Sequence, residues 1–228
     1  MISSFISFSS FVRVLRLALV LGAASLLCAC ATKPPDPFDY TAYRESRPRS
    51  ILVMPPLNQS PEVLASATFL ASSAVPLAES GYYVIPVTLS EETFKQNGVT
   101  VAEEAQSIEL GKLREIFGVD AALYITITRF GTSYRVLDSV VEAAATARLV
   151  DTRTGQELWS GQAAVVQKSN SGGGGLIGAL VGAVVNQIVN SVTDRSHDVG
   201  RGANYWMLSA GRQNGILFGP YHPKFETD

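Results

Sequence analysis

Cys28 and Cys30 close the first apolar run of the chain, in Leu27-Cys28-Ala29-Cys30. An aliphatic residue, two small residues and then a cysteine form a lipobox, and the chemistry it offers is thioether attachment of lipid to the last cysteine. Everything before Cys30 would then be removed as a signal peptide spanning 1–29. Arg13 and Arg16 supply its positive n-region, and no acidic residue occurs before Asp36. Leu17 to Leu27 is its apolar h-region, too short to span a bilayer comfortably. Cys30 fits the acceptor role better than Cys28. Counting back from Cys30 places small Ala29 at the cut, whereas counting back from Cys28 places bulky Leu27 there. Cys30 is therefore the expected lipid-attachment residue. Ala31 follows it, not the Asp that usually retains a Gram-negative lipoprotein in the inner membrane, so delivery to the outer membrane is expected.

A second unusual stretch opens at Ser171-Gly172-Gly173-Gly174-Gly175 and continues through the apolar, glycine-spaced run Leu176 to Val192. Gly173 to Gly178 formally matches G-x-G-x-x-G. A dinucleotide site needs a following parallel strand and an acidic residue at that strand's end, and neither is present. No lysine follows the glycines, so the phosphate-cradling P-loop pattern also fails. Seventeen helical residues would span ~25 Å, short of the ~30 Å hydrocarbon core. Asn186, Gln187 and Asn190 also interrupt the second half. What remains is an amphipathic helix. Ile177, Val181, Val184, Ile188 and Val192 form one stripe at helical spacing. Gly178 and Gly182, with Asn186 and Asn190, lie at four-residue spacing on another face, where small residues let two backbones approach. The stripe could pack on its own domain. Equally, Ile177, Gly178, Val181, Gly182, Val184 and Ile188 could form a self-association interface.

Bond-breaking chemistry has little material. His197 and His222 are the only histidines, both near the C-terminus. That is meagre for a metal cluster or a Ser-His-acid triad, and no serine stands in G-x-S-x-G. Asp120, Asp138, Glu142 and Asp151 fall at strand starts, exposed strand faces and a turn, where solvated carboxylates are the default. No cofactor or metal is expected. Removing Arg13 and Arg16 from 18 basic side chains, against 20 acidic ones, leaves a net charge of −4 after cleavage. With no basic run, neither nucleic acid nor a polybasic grip on anionic lipid is expected. Both cysteines sit at the signal boundary, so the mature domain holds no disulfide and depends on packing.

Residues 30–49 read as the lipidated cysteine and a tether, rich in proline and charge and without apolar period. Phe38, Tyr40 and Tyr43 make an arm packed along the domain the equal alternative. An α/β domain is expected over 50–168. Ser50 to Met54 is a near-continuous apolar run stopped by Pro55-Pro56, a buried central strand. Ser60 and Pro61 fit the N-cap and first position of a helix reaching Gly81, with a kink or break expected near Val75 because Pro76 lies inside it. Tyr82 to Val87 is a second strand, and strand–helix–strand at this spacing implies a parallel crossover. Ser90 reads as a cap of a short helix ending at Asn97-Gly98. Thr100 and Glu103 read as a capping box opening helix that stops at Gly118, split in two around Gly111. From Ala121 the period changes to two. Leu123, Ile125 and Ile127 alternate with Tyr124, Thr126 and Thr128, and Val141 to Leu149 alternates likewise. A turn follows at Asp151 to Gly155, then a returning strand from Leu158-Trp159 to about Gln167. The expected fold is mixed α/β (α+β), a parallel and antiparallel sheet of about five strands with packed helices. Residues 169–228 would add the Gly-rich linker, its amphipathic helix and a tail packed on the domain or on a partner. That tail carries a further helix around Ala203 to Leu208.

Residues 49–61 (RSILVMPPLNQSP), Pro76 to Tyr83, Glu157 to Gly161, and Gly178 through Arg195 together resemble a family of Gram-negative surface lipoproteins, that of the neisserial lipoprotein vaccine antigen. The resemblance covers nearly the whole mature chain. It implies an α/β domain similar to the N-terminal domain of the periplasmic Tol protein and to the curli-secretion lipoprotein. It also implies a role in envelope transport, secretion or assembly, with a homodimer or other homo-oligomer. It brings no catalytic residues. The expected function is thus non-enzymatic, through protein–protein contacts, with the domain facing periplasm or cell surface. A subunit of an oligomeric secretion pore is the runner-up, although no long period-2 hairpin with a lipid-facing band stands out. A nucleotide-binding enzyme is a distant third.

Overall fold

In β1 (Ser50–Val53), Ile51, Leu52 and Val53 are buried on both sides because the strand lies inside a sheet with helices on each face. The computed structural model describes residues 37–134, 139–168 and 195–227. Within them the chain order is α1 (Thr41–Ser46), β1, β2 (Leu57–Asn58), α2 (Ala65–Glu79), β3 (Tyr83–Val84), α3 (Val87–Gln96), α4 (Ala102–Gln106), α5 (Leu110–Phe117), β4 (Ala121–Tyr134), β5 (Ser139–Asp151), β6 (Glu157–Lys168) and α6 (Arg195–Leu208). The sheet order is β3-β1-β4-β5-β6, with β2 added beside β4. β1 pairs in parallel with β3 and β4, which gives the expected parallel crossover, and β4-β5-β6 is the expected antiparallel meander. The fold is mixed α/β, as anticipated.

Alternation distributes the strand residues between two cores. Ile51, Val53, Leu123, Ile125, Ile127 and Leu149 face α2 and α6, meeting Phe69, Leu77, Ala203 and Met207. Leu52, Met54, Ala122 and Val150 face the opposite way, under Phe94, Ala105 and Leu113 of α3, α4 and α5. Tyr124, on the alternate side of β4 from Leu123 and Ile125, lies in this second core at 6% exposure, with the Arg148 guanidinium 4.5 Å from its ring centre. Burial raises the pKa of its phenol despite that cation. Alanines 143, 145 and 147 keep β5 flat where α6 crosses, and Gly200 brings α6 against the Phe130 ring.

Several local expectations give way to tertiary contacts. The long helix begins at Ala65, not at Pro61. Ser60 is instead drawn into a turn around Asn58, whose Oδ1 accepts from the Ser60 amide and hydroxyl at 2.9 and 2.6 Å. Pro76 does not break the helix, which runs to Glu79. Only the last turn follows it, so the lost amide costs one bond near the end. Ser90 lies inside α3, buried and donating to the Val87 carbonyl. Thr100 does not cap α4, whose N-cap is Val101 without a side-chain bond. The split between α4 and α5 is present, but around Ser107 to Glu109, away from Gly111. The two-residue strand β2 lies beyond the Pro55-Pro56 stop and was not anticipated. The expected strand from Tyr82 to Val87 is shortened to Tyr83–Val84, because Val87 already starts α3. Stops at Gly118 (φ 62) and Gly98 (φ 81), and the turn at Gly155 (φ 75), use left-handed backbone as expected.

From Phe38 onward the segment expected as a tether belongs to the folded body. Tyr43 of α1 is 3% exposed and joins the α2–α6 core. Phe38–Asp228 forms one compact unit, so the arm packed along the domain describes residues 38–49.

Candidate functional site

Cys30 and the self-association set Ile177, Gly178, Val181, Gly182, Val184 and Ile188 lie outside the described residues, as does Asp138. The remaining candidates take structural places. Asp120 Oδ2 accepts from the Arg49 and Ser50 amides and the Ser50 hydroxyl at 3.0, 3.3 and 3.2 Å, fastening the start of β1 to β4. Glu142 lies 3.6 Å from the Arg129 guanidinium across the β4–β5 pair. Asp151 departs most from the solvated default, at 3% exposure. Burial raises its pKa, but bonds from the Ser46 hydroxyl (2.5 Å) and the Thr154 and Arg153 amides, with the Arg153 charge, outweigh it. The net direction is below the ordinary aspartate value. Asp151 thus holds its own turn and ties α1 to β5. His197 is bonded to Thr68 at 2.7 Å, and His222 stacks on Phe218 at 4.1 Å, so the two serve separate contacts. Among the described residues, no group of three or more His, Cys, Asp or Glu is placed to hold a metal ion. No described helix is long and apolar enough to cross a membrane.

Among the described residues, a feature with the shape of a site lies where the arm and the tail meet. Tyr43, Arg44, Arg47 and Pro48 from the first end, Tyr82 after α2, and Leu217, Phe218, Pro220, Phe225 and Glu226 from the tail line an open groove of about 200 Å³. Backbone bonds hold the tail there. The Gly219 amide donates to Ser80 O at 2.7 Å and the Tyr221 amide to Gly81 O at 3.1 Å. Tyr82 gives its phenolic proton to Leu217 O at 2.7 Å, which makes Tyr43 the donor in the 2.8 Å contact between the two hydroxyls. Asn214 links both ends to the sheet: its carbonyl accepts from Trp159 Nε1 at 3.0 Å and its side-chain oxygen from the Phe38 amide at 3.0 Å. Tyr40 completes the seam by donating to Gly215 O at 2.6 Å. At the rim Arg47 pairs with Glu226 at 3.0 Å, both largely exposed.

Aromatic walls and two guanidinium groups suit recognition; the lining holds no nucleophile–base pair. On sequence alone Arg44 and Arg47 belong to the segment read as a tether or a packed arm, and nothing marks them as a site. The available signal was the series Phe38, Tyr40, Tyr43 in a segment otherwise polar.

The sequence model of the GNA1162-like family, described as "Putative lipoprotein GNA1162-like", matches residues 38–221. The chain is 54% identical over 204 residues to "Putative lipoprotein NMB1124/NMB1162" of Neisseria meningitidis serogroup B, covering 89% of this chain and 95% of that protein. It is similar to the crystal structure of lipoprotein GNA1162 from Neisseria meningitidis: 56% identity, 55% of this chain, 88% of that one, TM-score 0.53. A weaker likeness, at 13% identity and TM-score 0.45, is to the PelC dodecamer from Paraburkholderia phytofirmans, over 78% of this chain and 93% of that one. With a family model matched from Phe38 to Tyr221, and a relative more than half identical along nearly its whole length, this chain belongs to the GNA1162-like lipoprotein family.

Proposed function

We propose that the protein is a non-enzymatic lipoprotein of the outer membrane, anchored through Cys30 and acting through protein–protein contacts in an envelope transport, secretion or assembly system. One observation carries this reading: a lipobox ending at Cys30 precedes a domain of a lipoprotein family. The organisation would be a signal peptide over 1–29, an anchor segment up to the folded arm, and the domain itself. Metabolic labelling with palmitate tests it. Label should enter the parent chain and Cys28→Ser, and vanish from Cys30→Ser, which should also accumulate at the mass of the uncut precursor. Label persisting in Cys30→Ser would remove the anchor and the reading together.

Self-association through the stripe Ile177, Val181, Val184 and Ile188, with Gly178 and Gly182 as the close-approach positions, is the second part of the proposal. It is supported by two apolar or small-residue faces on one segment, more than a single docking surface needs. Gly182→Leu should lower the mass measured by light scattering towards that of the monomer. An unchanged mass would dismiss this interface.

A further inference from the structure

We propose that the groove between the arm and the tail binds the phosphate-bearing end of an anionic glycerophospholipid in the membrane that carries the anchor. The location rests on the Cys30 reading. Seven residues lie between Cys30 and Phe38, eight chain steps in all, a leash of at most about 28 Å when fully extended. Phe38 is pinned to Asn214, and its ring begins a series leading to the groove: Phe38–Tyr40 centroids are 5.0 Å apart and Tyr40–Tyr43 6.3 Å. A lipid-anchored chain therefore cannot hold this groove far from the headgroups.

The lining matches that ligand. Arg44 and Arg47 are exposed at the mouth, and planar guanidinium groups receive phosphate oxygens two at a time. Leu217, Phe218 and Phe225, each half-buried, add an apolar wall beside these cations, an arrangement suited to the membrane–water boundary. Glu226 already places a carboxylate 3.0 Å from Arg47, where a phosphate oxygen would sit. Both partners are exposed, so the pair contributes little and exchange for a phosphate is easy. Of the three non-glycine positive-φ positions among the described residues, Arg47 (47°) and Glu226 (61°) line the groove, and backbone of this kind concentrates at ligand clamps.

The test uses the chain from Ala31, which keeps the whole compact unit Phe38–Asp228 and carries no lipid. Co-sedimentation is measured with phosphatidylethanolamine vesicles containing phosphatidylglycerol, and with phosphatidylcholine vesicles. The acidic chain should nevertheless bind the anionic vesicles and leave the phosphatidylcholine ones. Arg44→Ala with Arg47→Ala should lower the partition coefficient roughly 25-fold, about fivefold per arginine. Arg201→Ala, an exposed change on α6, should leave it unchanged. No binding to anionic vesicles, or equal loss in Arg201→Ala and the double variant, overturns the proposal. So does calorimetric heat with inorganic phosphate but no vesicle binding, which would make a soluble phosphate the ligand. Palmitate labelling of Cys30 reports separately on the anchor, so the two ideas can fail independently.

Discussion

Trp159→Ala is expected to lower the unfolding free energy by about 3–5 kcal/mol, the range for emptying a large aromatic site in a close-packed core. Trp159 is 1% exposed and belongs to the core shared with α2 and α6. Its ring lies over Gly161, two residues along the same face of β6, where a Cβ would collide with it. That glycine gives the indole its place, so alanine at 159 leaves a void that Gly161 has no side chain to fill. The indole N–H adds a second effect, because it donates to Asn214 O at 3.0 Å and Asn214 also holds Phe38. Trp159→Phe separates the two, keeping much of the volume and removing only the donor, for about 1 kcal/mol. Thermal unfolding should show a fall of roughly 10 °C for alanine. A loss for alanine no larger than that for phenylalanine would mean that the site collapses around the smaller residue.

Trp159 also shows where local sequence is sufficient. Its strand, the meander before it and the Asp151–Gly155 turn follow from period-two alternation and turn chemistry, both local properties. The central strand was equally plain, since Ile51 to Met54 has no polar face to offer water. Capping failed for a physical reason. Ser60 is captured by Asn58 and Ser90 by its own helix, and competing side-chain bonds of that sort leave no trace in the residue types alone. Asp151 reads as a solvated turn carboxylate until Ser46, more than a hundred residues away, closes over it. The groove was hidden for the same reason. Its walls come from residues 43–48 and 217–226, and no period or motif within either segment encodes their meeting. The proposed anchor is the reverse case, since its motif lies in four consecutive residues, Leu27 to Cys30, and needs no tertiary contact to be legible.

Gly81→Ala is expected to cost about 2–5 kcal/mol and to release the C-terminal tail before the rest of the domain. Gly81 holds φ at 90°, a conformation that costs an L-residue about 1–2 kcal/mol. A Cβ there would also lie 2.5 Å from the His222 backbone nitrogen and Cβ and 2.9 Å from Gly219 O. Backbone cannot move aside as a flexible side chain can, so overpacking adds about 1–3 kcal/mol. Gly98→Ala is the matched control: its φ is 81° and nothing lies within 4 Å of the added carbon. The difference between the two variants isolates the contact between the tail and residues 80–82. Hydrogen exchange should show the Gly219 and Tyr221 amides, bonded to Ser80 O and Gly81 O, losing protection in Gly81→Ala and keeping it in Gly98→Ala. The β4–β5 amides should stay protected in both. If Gly81→Ala and Gly98→Ala cost the same, the tail is not clamped at Gly81 and one wall of the groove is not fixed. If the tail amides alone are lost, the groove is a separable layer on a stable sheet, opened by one methyl group more than 130 residues away in sequence.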